Sequence, residues 1–548
     1  MRKSFISTLG ICLLAGSAAW AQTPAGYADH AALTQRLQQL NTRYKNLTTL
    51  QSVGKTTTGK DVWLLSVGQG NPAKKPALLI VANVEGTHLA GTELALQTAE
   101  KLLEKAGTDS VGKLLAEKTF YFAPSVNPDA AAQFFAKLKY ERNGNARQTD
   151  DDRDGLLNED GPDDLNGDGL ITLLRVEDPS GTFTKSKADA RVMVKADPLK
   201  NEEGGYVVLT EGTDNDKDGQ FNEDGEGGIQ LGRNFTFDYE PFKPGAGDYP
   251  VSEPENRGLI DWLYENKNVY ALITFGLSNN LTDAVKFDAG KANTRIVKGW
   301  LQKDVQVNEQ VARLYNAAGL KEGPVLAPVK GDFPTWAYYH FGKFSFSTPG
   351  WWVPKDTTKA ARALKPEMIS EDANFLRWAK TNNVQAFVDW KEIASHPDFP
   401  GKKVEVGGFV PFARWNPPVS FLAPVAEKHV GFLFALGKRM PSVELINVKT
   451  ETVSPGLNRV TVTLHNKGLL PTHSDLGNRV KYEDRLKVSV ALAKNQQILS
   501  GKAQQLIRQA IPGNGTEEYT WLISGSGAVQ ISAASGPAGA ASVSVNLK

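Results

Sequence analysis

"PALLIVANVEGTHLAGTELALQTAEKLLEKAG", residues Pro76–Gly107, decides how this chain folds. It opens on an apolar run without polar alternation, the pattern of a strand buried on both faces of a covered sheet. An amphipathic helix follows and stops at Gly107, a residue suited to ending helices. Glu85 and His88 stand three apart at the join. A carboxylate and an imidazole are both ligands for transition metals, although zinc sites of this kind usually place the His first.

The pattern continues outward from this unit. Residues 28–48 have helical spacing, and "SVGKTTTGKDVWLLSVG" (52–68) reads as a hairpin around a Thr-Gly turn. "KTFYFAPSVNPDAAAQFF" is a strand, a loop and a helix start, and "GLIDWLYENKNVYALITFGL" is a helix and then a strand. Alternating helices and apolar strands predict an α/β sheet covered on both faces. After Pro441 the character changes to alternating Val- and Thr-rich runs, such as "VELINVKTETVSPGLNRVTVTLHNKG". The expected division is a leader over 1–21, an α/β domain over 22–440, and a C-terminal β-sandwich over 441–548.

The whole chain has 548 residues, 22% of them charged, with a net charge of +1. Nothing in that balance suggests a nucleic-acid or membrane-surface partner. "MRKSFISTLGICLLAGSAAWAQ" has a basic start, an apolar run and a small-x-small site at Ala19–Ala21. This pattern predicts a signal peptide, no membrane span after its removal, and a secreted or periplasmic protein. Cys12, the single cysteine, lies inside that leader, so a metal in the mature chain must be held by His and carboxylates.

An Asp- and Gly-rich insertion spans about 143–228 and contains an internal repeat, "TDDDRDGLLNEDG" and "TDNDKDGQFNEDG". Three loops alternate oxygen ligands before a Gly: Asp150, Asp152 and Asp154; Asp164, Asn166 and Asp168; Asp214, Asp216 and Asp218. Such spacing lets side chains converge on a hard cation while the Gly makes the sharp turn. The expectation is structural calcium. The bidentate Glu of an EF-hand is absent, since Gly161, Arg175 and Gly225 stand at that position.

Several segments together resemble the zinc carboxypeptidases of the A and B type, in a secreted bacterial branch. "PSVNPDAAAQFF" resembles the family's Asn-Pro-Asp-Gly segment, with Ala130 for the Gly. "GGIQLGRNFTFDYEP" resembles Asp-Leu-Asn-Arg-Asn-Phe, "YPVSEPENRGLIDWL" the Ser-Glu-Pro-Glu-Thr helix start, and "WAYYHFGKFSFSTPGWW" the strand that ends in the catalytic Glu. The resemblance covers roughly 28–440. It implies a mixed sheet with helices on both faces, zinc as cofactor, and peptides with a free C-terminus as ligands.

It also implies a site, and this chain departs from it. The His-x-x-Glu zinc pair corresponds to Glu85 and His88 in exchanged order. Gly276 stands where the third ligand belongs, Pro349 where the catalytic Glu belongs, and Gly232 where an Asn precedes the carboxylate-gripping Arg. Arg233 is retained as the substrate-binding residue. Asn279, Asn280, Asp283 and Glu405 are conceivable stand-ins, although Glu405 reads as an exposed strand residue. Glu85 and His88 can also be read as bonding each other and capping the helix. His340, His396, His429, His465 and His473 read as loop or packing residues. The expected function is a catalytically impaired family member that binds peptide or cell-wall-type ligands. The alternatives are an active metallocarboxypeptidase with a rearranged metal site, and a calcium-stabilised adhesion protein.

Overall fold

The structure is a computed structural model that describes residues 26–548 except 151–154, 159, 218, 220, 223–227, 366, 367 and 481. The leader at 1–21 and residues Asp152, Asp154 and Asp218 therefore lie outside the described residues.

A six-stranded mixed sheet forms the centre. Its spatial order is Thr48–Lys55, Asp61–Val67, Thr119–Ala123, Ala77–Ala82, Val269–Phe275 and Phe344–Thr348. The first two strands are the expected hairpin and pair antiparallel. Thr119–Ala123 through Phe344–Thr348 run parallel. Ala77–Ala82 is buried along its whole length. Its alternate residues feed two cores: Leu78, Ile80 and Ala82 face one side, and Ala77, Leu79 and Val81 face the other. This strict two-residue alternation between apolar layers is why the strand reads as a continuous hydrophobic run.

Helices cover both faces. Leu89–Glu104 and Ala423–Gly437 pack on the first side, and Pro254–Glu265 and Phe333–Tyr339 on the second. The α/β class with a mixed sheet is thus as expected. Parallel strands end together, so the loops after Ala82, Phe275 and Thr348 lie side by side at the carboxyl edge. In open α/β sheets that edge is where ligand crevices form.

A second six-stranded sheet, entirely antiparallel, had no counterpart in the sequence reading. It joins Leu173–Glu177, Phe183–Lys185, Met193–Lys195 and Tyr206–Thr210 of the Asp-rich insertion to Phe387–Glu392 and Val404–Phe409. Glu405 lies in this sheet. Its side chain is 12% exposed and ion-paired with Arg175 at 2.9 Å. Reading it as an exposed strand residue was therefore wrong: opposite Arg175 it is a paired and largely buried carboxylate.

From Val443 onward two four-stranded antiparallel sheets face each other around a core that includes Val460, Trp521, Ile523 and Ile531. This β-sandwich is joined to the α/β unit by buried polar contacts. Lys343 pairs with Glu483 at 2.9 Å, their side chains 3% and 0% exposed. Asp304 accepts from the amides of Asp475 and Leu476 at 2.7 and 3.0 Å.

Candidate functional site

The loop that leaves strand Ala77–Ala82 is set by Asn83, which sits in the left-handed region at φ 56°. Asn tolerates that conformation because its short amide can bond locally. Its Nδ2 donates to the carbonyls of Glu85 and Gly86, both at 3.2 Å, and its Oδ1 accepts from the Ser125 hydroxyl at 2.9 Å. Gly86 then passes against Ala130. A Cβ at 86 would stand 2.2 Å from the Ala130 Cβ, so only glycine fits there.

Glu85 and His88 diverge from this turn. His88 occupies the N-cap position of helix Leu89–Glu104 but makes no side-chain cap bond. Its ring is fully buried and faces the carbonyls of Phe275 and Pro349. Both carbonyls favour the protonated ring, yet neither ring nitrogen reaches hydrogen-bond geometry. Burial dominates and pushes the imidazole down to about 4, so it is neutral at physiological pH. Gly91 makes the room, since a Cβ there would stand 3.0 Å from His88 Nδ1. The expectation that Glu85 and His88 bond each other and cap the helix is not met. Their one hydrogen bond is backbone to backbone, His88 N to Glu85 O at 3.0 Å.

Glu85 enters a cavity of about 150 Å³ at the carboxyl edge of the sheet. Asn143, Gln230, Gly232, Arg233, Ser278 and Asp332 also line it. The carboxyl of Glu85 lies where a side chain on Gly276 would go: a Cβ at 276 would be 2.6 Å from Glu85 Oε2. That oxygen has no hydrogen-bond partner among the described residues, and burial raises the Glu85 carboxyl above its usual range. Asp332 is 2% exposed. It caps helix Phe333–Tyr339 by accepting from Thr335 N at 2.9 Å. Burial, with a smaller push from the Glu85 charge, moves Asp332 up to about 7. Ser278 Oγ is a second buried atom of the cavity without a partner among the described residues.

Arg233 ends the short turn Leu231–Arg233, and the next residue anchors it. Asn234 Nδ2 donates to Ala246 O at 2.8 Å, Tyr249 O at 3.1 Å and Ser252 Oγ at 3.0 Å. Among the described residues the Arg233 guanidinium has no ion-pair or hydrogen-bond partner. Its charge reaches Glu240, which Lys330 already pairs at 2.8 Å.

Matches to known proteins coincide with this architecture. A family profile described as Zinc carboxypeptidase matches residues 33–350. The chain belongs to the zinc carboxypeptidase family. Carboxypeptidase D of Drosophila melanogaster is 34% identical over 114 residues, 20% of this chain and 8% of that protein. A zinc carboxypeptidase of Saccharothrix mutabilis subsp. capreolus is 28% identical over 113 residues, 19% of this chain and 26% of that protein. The matched segments thus span only a small part of these relatives. Among solved structures, carboxypeptidase A from Helicoverpa armigera has a TM-score of 0.35 at 13% identity, covering 66% of this chain and 73% of that one. Residues 442–546 match a family described as a domain of unknown function.

Zinc is the family's cofactor, and the side chains at its expected position do not suit it. No group of three or more His, Cys, Asp or Glu side chains is gathered for a metal among the described residues. His88 is turned into the protein, and the Glu85 carboxyl fills the space beside Gly276. Asn279 and Asn280 are engaged in holding loops: Asn279 Nδ2 donates to Pro324 O at 2.7 Å, and Asn280 Oδ1 accepts from Ser347 N at 2.9 Å. The sequence reading missed Asp332 and Ser278 at the site. Asp332 begins "DFPTW", which signals a helix cap and carries no sign of a cavity.

Of the acidic loops, Asp150, Asp164, Asn166, Asp168, Asp214 and Asp216 are not among the residues that line this cavity. Asp164 accepts from Gly167, Asp168 and Gly169 amides at 2.8 to 3.1 Å, and Asn166 Oδ1 from Asp168 N at 2.9 Å. Asp214 accepts from Gly219 N at 2.9 Å and Asp150 from Gly155 N at 3.2 Å. In all three, the first Asp closes the loop onto the Gly five residues on.

Proposed function

We propose that this protein is a secreted zinc-carboxypeptidase-family member without hydrolase activity, whose cleft binds ligands bearing a free carboxylate through Arg233. The observation that carries the reading is the Glu85 carboxyl lying within 2.6 Å of a Cβ position at residue 276. Gly276 has no side chain to complete a three-ligand zinc site, and the end of the Glu85 side chain fills the space beside it; three ligands plus an open position are what a catalytic zinc needs. Pro349, at the place of the family's catalytic Glu, has no group to take a proton from water. The Arg233 guanidinium at the cavity is unpaired among the described residues and suited to two parallel hydrogen bonds with a carboxylate. The experiment is binding of short peptides, followed by calorimetry, alongside an assay for released C-terminal residues. Free-acid peptides should bind, amidated ones should bind worse, Arg233→Ala should weaken the free-acid form, and no residue should be released.

The same reading assigns calcium to the acidic loops, as a brace for the insertion. It rests on the shared closure of the Asp150, Asp164 and Asp214 loops and on the oxygen-rich spacing. A cation that binds only the folded form stabilises it by mass action. Chelation should therefore lower the melting temperature or expose residues 143–228 to protease. An unchanged melt and digestion pattern would remove calcium from the account.

A further inference from the structure

The cavity has poles of both signs. Arg233 offers a cation that is unpaired among the described residues at one part of its wall. Glu85 and Asp332 offer two buried carboxyls, close enough that the Glu85 charge acts on Asp332. None of these oxygens lies within 4.0 Å of the guanidinium, since no such ion pair forms among the described residues. Unlike poles that face one cavity without pairing leave a gap that a ligand can bridge.

In the family's chemistry the group facing the peptide is a metal cation beside the carboxylate-gripping Arg. Here the corresponding region presents carboxyls, so the sign opposite Arg233 is inverted. A neutral peptide carbonyl gains nothing from a carboxylate. A ligand ammonium gains a charge-assisted hydrogen bond. We infer that the cavity binds a free α-amino acid, its carboxylate on Arg233 and its ammonium between Glu85 and Asp332.

Three further observations support this. Glu85 Oε2 and Ser278 Oγ are buried in the cavity wall without partners among the described residues, and buried polar atoms in native proteins are nearly always satisfied. An ammonium has three donors, enough to serve both carboxyls and the hydroxyl. The cavity, about 150 Å³, is about half the lower bound for drug-sized ligand pockets and suits a molecule of amino-acid size. Finally, Gly232 gives clearance: a Cβ at 232 would stand no closer than 3.8 Å to Val84 and 3.9 Å to Glu85. The wall between the poles is therefore open.

The inference rests on the carboxylate-binding reading of Arg233 and adds the ammonium pole. Its test uses the wild-type mature protein and a ligand series measured by isothermal calorimetry: L-alanine, N-acetyl-L-alanine and L-alaninamide. Alanine should bind about tenfold or more tighter than either derivative, because each lacks one charge. Glu85→Gln should weaken alanine by a similar factor and leave N-acetyl-alanine nearly unchanged. Arg233→Ala should weaken both. N-acetyl-alanine binding as well as alanine would overturn the ammonium pole while leaving the carboxylate reading intact. Alaninamide binding as well as alanine would overturn the two-pole arrangement, because Arg233 would then be unused. Failure of all three to bind at millimolar concentration would overturn both.

Discussion

At residue 276 a glycine leaves 2.6 Å between the place of a Cβ and Glu85 Oε2. The exchange of Glu and His at 85 and 88 is legible in the sequence, but its consequence is not. Only the fold shows that His88 turns inward to the carbonyls of Phe275 and Pro349, leaving the carboxyl in the cavity. Gly276 and Glu85 are thus coupled. Gly276→Ala must displace the end of the buried Glu85 side chain, so it should destabilise modestly, and less in a Glu85→Ala background. Urea melts of the four proteins in that cycle measure the coupling, and equal costs in both backgrounds would break the link. A second pair follows the same logic. Ala130 replaces the glycine of the family's segment, and its Cβ would meet one on Gly86 at 2.2 Å. Gly86→Ala should therefore destabilise strongly alone and be largely rescued by Ala130→Gly, read as the denaturation midpoint.

At the scale of elements, strands and helices around Pro76–Gly107 were legible because each carries its own period. Ala77–Ala82 is apolar throughout since both faces are buried, and helix His30–Arg43 shows Leu33, Leu37 and Leu40 on one stripe. The second sheet was not legible, because four of its strands come from the acidic insertion and two from far later in the chain, as in the pairing of Val404 with Val176. Short strands such as Phe183–Lys185, with no buried residue, carry no usable alternation. The helix Phe333–Tyr339 yields a pH prediction. Its cap, Asp332, is held up to about 7, whereas an unfolded Asp titrates near ~3.9. The folded state then keeps a proton that the unfolded chain gives up, so this group's contribution falls as pH rises from about 4 through about 7 and is level above. Asp332→Asn keeps a cap acceptor without the charge. The variant should gain on the wild type between pH 5 and pH 8, by about 1.4 kcal/mol per unit of pH at most. A gap that does not change with pH would show that burial does not control Asp332.

For the whole molecule, the sandwich and the α/β unit share a buried ion pair. Lys343 and Glu483 are almost wholly withdrawn from water. Removing one partner strands the other, a loss of ~3–5 kcal/mol, whereas replacing both by apolar residues costs far less. Lys343→Met should therefore lower the melting temperature more than the double variant with Glu483→Leu, and calorimetry should show the two units melting together. The chain as a whole combines a carboxypeptidase fold with a cavity whose charged lining is two carboxyls and one arginine. The most direct measurement of that claim is zinc content by mass spectrometry after incubation with zinc and dialysis, with release of C-terminal residues assayed on the same sample. The account predicts well under one zinc per chain and no release above a blank. One retained zinc per chain, with release abolished by His88→Ala, would contradict it.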